Sequence, residues 1–116
     1  MNDTTVIDAT TFAELQDAAG VDFVAELVGT LLEEAPSMLT ELRNALAARD
    51  GERFRRAAHS LKSNSQTFGA TALGSLAREL ELRGLHPDPA RDAAALDALA
   101  AAYAQAAAAL TELSRG

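Results

Sequence analysis

The sequence predicts an all-α fold, an antiparallel four-helix bundle preceded by one short helix. Three observations carry that prediction. Alanine and leucine are abundant while the aromatic residues are four Phe and one Tyr, a balance that favours close-packed helices over a β-sandwich. Apolar residues recur at intervals of three and four in successive segments, the period of a helix that buries one face. Helix starts and stops separate those segments by short connections. At 116 residues the chain is long enough to build a core without disulfides or metal, and it is expected to be one domain over residues 1–116 with no internal repeat.

Thr11 followed by Glu14 makes a capping-box pattern for the first short helix, which Gly20 closes. From Asp22, the set Val24, Leu27, Val28, Leu31 and Leu32 describes a second amphipathic helix that Pro36 interrupts. Met38, Leu39, Leu42 and Leu46 then belong either to a new helix or to a kinked continuation. Asp50-Gly51 reads as a turn and cap. Phe54, Ala58, Leu61, Ser65 and Phe68 form the inner stripe of the following helix, which runs to about Phe68, where Gly69 supplies a permissive backbone for a tight turn. The next helix begins near Thr71, carries Leu73, Leu76 and Leu80, and stops at Arg83-Gly84, a basic last turn followed by glycine. In the loop His86-Pro87-Asp88-Pro89, Asp88 is placed as N-cap and Pro89 as first helical residue. The long alanine-rich helix beyond it uses Leu96, Leu99, Tyr103, Ala106 and Leu110 as its inner stripe.

Composition excludes several classes of function. Without cysteine there is no disulfide framework, thiolate nucleophile or Cys-based zinc site. A net charge of −7 argues against a nucleic-acid surface, which needs clustered Lys and Arg to release counterions, and favours a role in solubility. Met1-Asn2-Asp3-Thr4-Thr5 lacks the basic region and apolar core of a signal peptide, and no run is expected to reach the length of a membrane span. The expected location is the cytoplasm.

Chemistry concentrates on the helix through Leu61. At about 100° per residue, His59 lies about 140° from the centre of the apolar stripe and points outward. Lys62, Ser63 and Gln66 follow it at i+3, i+4 and i+7, the spacings of neighbours on one face. One outward row therefore holds an imidazole, an ammonium, a hydroxyl and an amide.

The string His59-Ser60-Leu61-Lys62-Ser63, with Gly69 ten residues after the histidine, resembles the signature of histidine-containing phosphotransfer (HPt) domains. The likeness extends from about Phe12 to the C-terminus in helix order and length, and is specific between Arg56 and Ala70. The chain departs from the pattern at Ser63, where the family commonly has glycine. This resemblance implies a phosphoryl carrier without ATP chemistry of its own, which accepts a phosphoryl group on His59 from a receiver-domain aspartate and passes it to another receiver. Its partners would be response-regulator receiver domains and a hybrid histidine kinase. No cofactor is expected on this chain, magnesium being held by the receiver's carboxylates, and a monomer is expected because one histidine stripe needs no second copy.

The residue types suit that chemistry. An imidazole of ordinary pKa, about 6.5, is largely neutral near pH 7 and offers a ring lone pair to phosphorus. Lys62, one turn on, can neutralise arriving phosphoryl oxygens, and Gln66 can hydrogen-bond them. Gly69 has a backbone role as helix stop. Glu81, on the neighbouring helix, is a candidate to orient the far nitrogen of His59, as an acid does in the related phosphoacceptor domain of chemotaxis kinases. Arg53, Arg55 and Arg56 form a cluster that either attracts an acidic partner or is a solvated face. His86, alone in a proline-bounded loop, is read as solvent-exposed and not as a metal ligand.

Two other readings compete. One is the phosphoacceptor domain of a chemotaxis-type histidine kinase, which calls for a long C-terminal continuation, whereas this sequence ends at Gly116. The other is a non-catalytic scaffolding bundle, favoured if His59 is inaccessible. A dimeric sensor-kinase core places an acid directly after its histidine, where this chain has Ser60, and no Gly-rich loop with a following Lys-Ser or Lys-Thr is present for ATP.

Overall fold

A computed structural model describes residues 6–115, so the signal-peptide reading of Met1–Thr5 lies outside the described residues. Five helices and no strand occur among the described residues: α1 (Ala9–Ala19), α2 (Val21–Ala48), α3 (Gly51–Phe68), α4 (Thr71–Arg83) and α5 (Pro89–Ser114). Each of α2 to α5 packs on its neighbours around a ring, α2 on α3, α3 on α4, α4 on α5 and α5 on α2, while α1 lies against α2 and α3. Cross-helix contacts pair rising positions on one helix with falling positions on its neighbour: Arg53 meets Glu41 and Asn64 meets Met38 between α3 and α2, His59 meets Glu81 and Ser65 meets Gly74 between α3 and α4, and Asp97 meets Arg43 and Tyr103 meets Leu32 between α5 and α2. The bundle is therefore antiparallel, with α2 at 28 residues setting its long dimension of 44 Å.

Helix α1 begins earlier than its capping pattern suggests. Asp8, not Thr11, is the N-cap, its carboxylate accepting from the Thr10 N–H and the Thr11 hydroxyl, both at 3.0 Å. The Asp8 N–H in turn donates to the Gly69 carbonyl at 2.7 Å, which ties α1 to the end of α3.

Pro36 does not interrupt α2, which continues unbroken from Val21 to Ala48. A proline inside a helix withdraws the N–H that would serve the carbonyl four residues back. Here that carbonyl is Leu32 O, and it accepts the Tyr103 hydroxyl of α5 at 3.5 Å. Burial that accompanies this reach pushes the Tyr103 phenol pKa up, and leaves the ring half-buried instead of fully inside. On either side of the proline, Leu31, Ala35, Leu42 and Ala45 are buried, so packing holds both halves on one axis.

The other predicted boundaries match the structure. Asp50 caps α3 by accepting from the Arg53 N–H at 3.1 Å, Gly69 ends that helix with φ +78°, and Asp88 caps α5 ahead of Pro89. The stripe Phe54, Ala58, Leu61, Ser65 and Phe68 is buried as expected. Ser65, the polar member, satisfies its hydroxyl on the Leu61 carbonyl at 2.7 Å.

One expectation fails on α5. That helix, 26 residues with a mean hydropathy of 1.4 over an 18-residue window, is by length and composition apolar enough to cross a membrane. Alanine is the cause: it scores as apolar yet presents little surface, so it serves equally outside a bundle. In this fold Leu96, Leu99, Ala106 and Leu110 turn into the core.

Candidate functional site

His59 stands on the outer side of α3 with its side chain 57% exposed. The outward angle deduced from the stripe is therefore realised. Its Nδ1 lies 2.7 Å from Glu81 Oε2 on α4. Lys62, one turn beyond His59, brings Nζ to 2.9 Å from the other oxygen, Oε1. That oxygen is closed off from solvent without an aligned hydrogen-bond donor, and the lysine charge supplies its compensation. The three side chains form one bridge between α3 and α4.

Electrostatics settle the protonation pattern. The Lys62 ammonium first, and then the hydrogen bond from His59, hold the Glu81 carboxyl below the usual carboxylate range. An anionic carboxylate can only accept, so Nδ1 must carry the proton. In a neutral ring the lone pair then belongs to Nε2, on the side of the imidazole away from Glu81. The arrangement offers a nucleophilic nitrogen to any partner that reaches the exposed edge.

The close approach of α3 and α4 depends on small residues beyond the site. A Cβ at Gly74 would lie 3.4 Å from Ser65 Cβ, so α4 presses nearly backbone-first on α3 there. Gly69 is tighter still: a Cβ would meet Asp8 O at 3.0 Å and Thr11 Cβ at 3.1 Å, in addition to the positive φ. Its role thus exceeds that of a helix stop, because it lets the entry to α1 lie across the α3–α4 turn. Glycine inside a helix, as at Gly74, was the available sequence signal for this seam.

The remaining predicted residues are less involved. Gln66 lies exposed two turns from His59, and no hydrogen bond joins the two among the described residues. It lines a shallow cleft of about 190 Å³ with Gly69, Gly74, Ser75 and Arg78. Ser63 is exposed, and its carbonyl accepts the Thr67 hydroxyl at 3.0 Å. Of the arginine cluster, Arg53 is engaged by Glu41 through two hydrogen bonds of 2.8 and 2.9 Å. The hydrogen bond from Arg53, helped by the charges of Arg53 and Arg56, lowers the Glu41 pKa, and the same contact with Glu41 raises that of Arg53. Arg56 borders a groove between α2 and α3 with Ser37, Met38, Ala57 and Ser60.

His86 is not a simple solvated loop residue. Its N–H donates to Asp92 at 2.7 Å, its carbonyl accepts from Arg49 at 2.8 Å, and its Nδ1 accepts the Asp88 N–H at 2.9 Å. Asp92 is fully buried and also faces Arg83 at 3.4 Å and Arg49 at 3.9 Å. Sequence reasoning missed Asp92, a carboxylate on the buried side of α5.

Comparison with known proteins agrees with this geometry. A family model described as the Hpt domain matches residues 26–109. The chain is also similar to the sensor protein TorS of Escherichia coli (strain K12), at 29% identity over 103 residues. That alignment covers 84% of this chain but 11% of the relative, so the chain spans about a tenth of that protein's length. No solved structure matches. Hpt domains are phosphoryl carriers that act through a histidine in phosphorelays, and an exposed imidazole on an antiparallel helical bundle is the arrangement such a carrier requires. With its family match running from α2 into α5, the chain belongs to the Hpt domain family.

Proposed function

We propose that this chain is a phosphorelay carrier in which His59 Nε2 accepts a phosphoryl group from the aspartyl phosphate of one receiver domain and delivers it to another. The observation that carries this reading is the pairing of 57% exposure at His59 with a 2.7 Å contact from its Nδ1 to Glu81. In the forward step the Nε2 lone pair attacks phosphorus, a P–N bond forms, the P–O bond to the aspartate breaks, and the aspartate leaves as a carboxylate. No proton has to move. The ring becomes a phosphorylated imidazolium that keeps its Nδ1 proton, and the Glu81 carboxylate faces the positive charge that develops. Lys62 holds Glu81 in its ionised form and lies one turn from the reacting edge.

Magnesium, in this proposal, belongs to the receiver, as do the carboxylates that bind it. The donor is a receiver domain of a hybrid sensor kinase, a class consistent with the similarity to a sensor protein. The carrier works as a monomer in the cytoplasm. Because it must release two partners in turn, its affinity for each is expected to be modest.

The test is phosphoryl transfer from a labelled receiver to the wild-type chain and to His59→Gln. Acid-labile label is expected on the wild type alone, with both proteins equally helical by circular dichroism. Label on the variant would move the acceptor to another residue.

A further inference from the structure

Charge is divided unevenly along this chain, and the fold turns that division into a direction. From Met1 to Leu42 the sequence has no Lys or Arg, and all 10 basic residues follow. Met38 of α2 meets Asn64 of α3, so in an antiparallel pair Glu34 comes level with Phe68, where α3 ends. Val21 therefore lies about 20 Å beyond that end, at about 1.5 Å per residue, and α1 packs on this half of the molecule. Glu14, Asp17, Asp22, Glu26, Glu33 and Glu34 are exposed here, and none of them forms an ion pair among the described residues.

His59 stands on the other half, among cations. Arg55 and Arg56 precede it on α3 by four and three positions, which is one turn. Arg78 precedes Glu81 on α4 by three and lines the cleft that also takes in Gln66. All three arginines are exposed, and among the described residues no carboxylate forms an ion pair with any of them. The cations around them are neutralised, Lys62 by Glu81 and Arg53 by Glu41, so the charge of Arg56, which also acts on Glu41, is in surplus. Two acids share this half without offsetting it: Glu52 lies two turns from His59, and Glu79 is turned about 100° around α4 from Arg78. A locally positive face thus surrounds the imidazole of a chain whose net charge is −7.

A partner that brings a phosphoryl group to His59 must cover these turns, because a stable interface occupies about 800 Å² on each protein. The phosphorylated face of a receiver is the complement in charge, since it presents an aspartyl phosphate and the carboxylates that hold its magnesium. Fields of exposed charges act over about 10 Å at 0.1 M salt, so the guanidinium groups need no contact with the phosphoryl group to orient its carrier. We propose that Arg55, Arg56 and Arg78 together form an electrostatic collar that steers the acidic face of a receiver onto His59, while the acidic half built from α1 and the start of α2 repels that face from the wrong end. This deepens, and rests on, the reading of His59 as the phosphoacceptor. Charges of this kind set the rate of encounter more than the strength of the complex.

The probe is a receiver domain carrying labelled phosphate on its aspartate, and the second-order rate of transfer to His59 is measured from about 0.02 M to about 1 M salt, where the screening length falls to about 3 Å. The main variant is Arg56→Glu with Arg78→Glu, because neither side chain makes a hydrogen bond among the described residues. Arg55→Glu is compared separately, since its guanidinium packs beside Gly84 and its loss can also disturb the end of α4. The wild-type rate is expected to fall as salt rises. At low salt the double variant is expected to be about three- to tenfold slower, and at about 1 M salt the two rates should converge. Glu33→Gln with Glu34→Gln should raise the low-salt rate; an unchanged rate overturns the repulsion assigned to the acidic half. A double variant as fast as wild type at low salt, or slower by the same factor at every salt concentration, overturns the collar. Wild-type protein that takes no label on His59 at any salt concentration overturns the phosphoacceptor reading and the collar together, whereas labelling of His59 that ignores salt overturns the collar alone.

Discussion

The two histidines of this chain make opposite use of the same ring atom. At His59, Nδ1 faces a carboxylate and must donate, which leaves the lone pair on Nε2, at the exposed edge. At His86, Nδ1 faces the Asp88 N–H and must accept, which puts the proton of the neutral ring on Nε2. One ring turns its lone pair to the exposed edge, and the other fastens the α4–α5 loop. The difference lies in the partner and not in the residue type: Glu81 arrives from a neighbouring helix, whereas the Asp88 amide is two residues away on the same loop.

The hardest test of that contrast is to remove each ring in turn. His59→Gln is expected to abolish acid-labile labelling, while His86→Gln retains it at close to the wild-type level; label that follows His86 would reverse the comparison. Next in size is the polar cluster behind His86. Asp92→Ala removes the acceptor of the His86 N–H and the anion that faces Arg49 and Arg83, and is expected to cost about 1–3 kcal/mol of stability in denaturant unfolding. Labelling of the folded fraction should be unaffected, because nothing in that cluster touches the α3–α4 bridge.

Glu81→Gln sharpens the contrast from the other side. An amide oxygen can still accept from Nδ1, so the tautomer survives, but the charge that faces the developing imidazolium is gone. Transfer is expected to slow by on the order of tenfold. The same variant has a pH signature. Because the folded state holds the Glu81 pKa below its ordinary value, about 4.3, the unfolded chain takes up that proton first as pH falls. The stabilisation is therefore complete above the ordinary value and is lost as pH drops through the lowered one. Glu41, whose pKa Arg53 lowers, contributes with the same sign. Acid unfolding of Glu81→Gln should consequently depend less on pH in that range than unfolding of the wild type.

The smallest effect is expected at Lys62. With its ammonium on Glu81 Oε1, Lys62→Ala should fold normally and transfer more slowly, by about two- to fivefold, as the carboxylate loses its main stabilising charge. An unchanged rate would remove the lysine from the mechanism.

Much of this was legible one residue at a time. Spacing placed Phe54, Ala58, Leu61, Ser65 and Phe68 inside and His59 outside, and Asp50, Gly69, Asp88 and Pro89 marked boundaries that the structure has. The start of α1 was misplaced because Asp8 and Thr11 both suit an N-cap, and only the Asp8 carboxylate turned out to accept from the backbone of that turn. Arg55 read as a member of a charge cluster, since nothing in its own segment indicates that its guanidinium lies beside Gly84.

Helical period, caps and the outward angle of His59 are decided by residues within about four positions of one another, and so the sequence by itself determined them. Tertiary structure alone decided that α2 passes through Pro36, because the orphaned Leu32 carbonyl finds Tyr103 at a distance of 71 residues. It alone decided that Glu81 reaches His59, because that contact depends on the register of α4 against α3, set where Gly74 lets the two helices close on Ser65. A tautomer follows from a hydrogen-bond partner, and a partner 22 residues away is chosen by packing and not by periodicity.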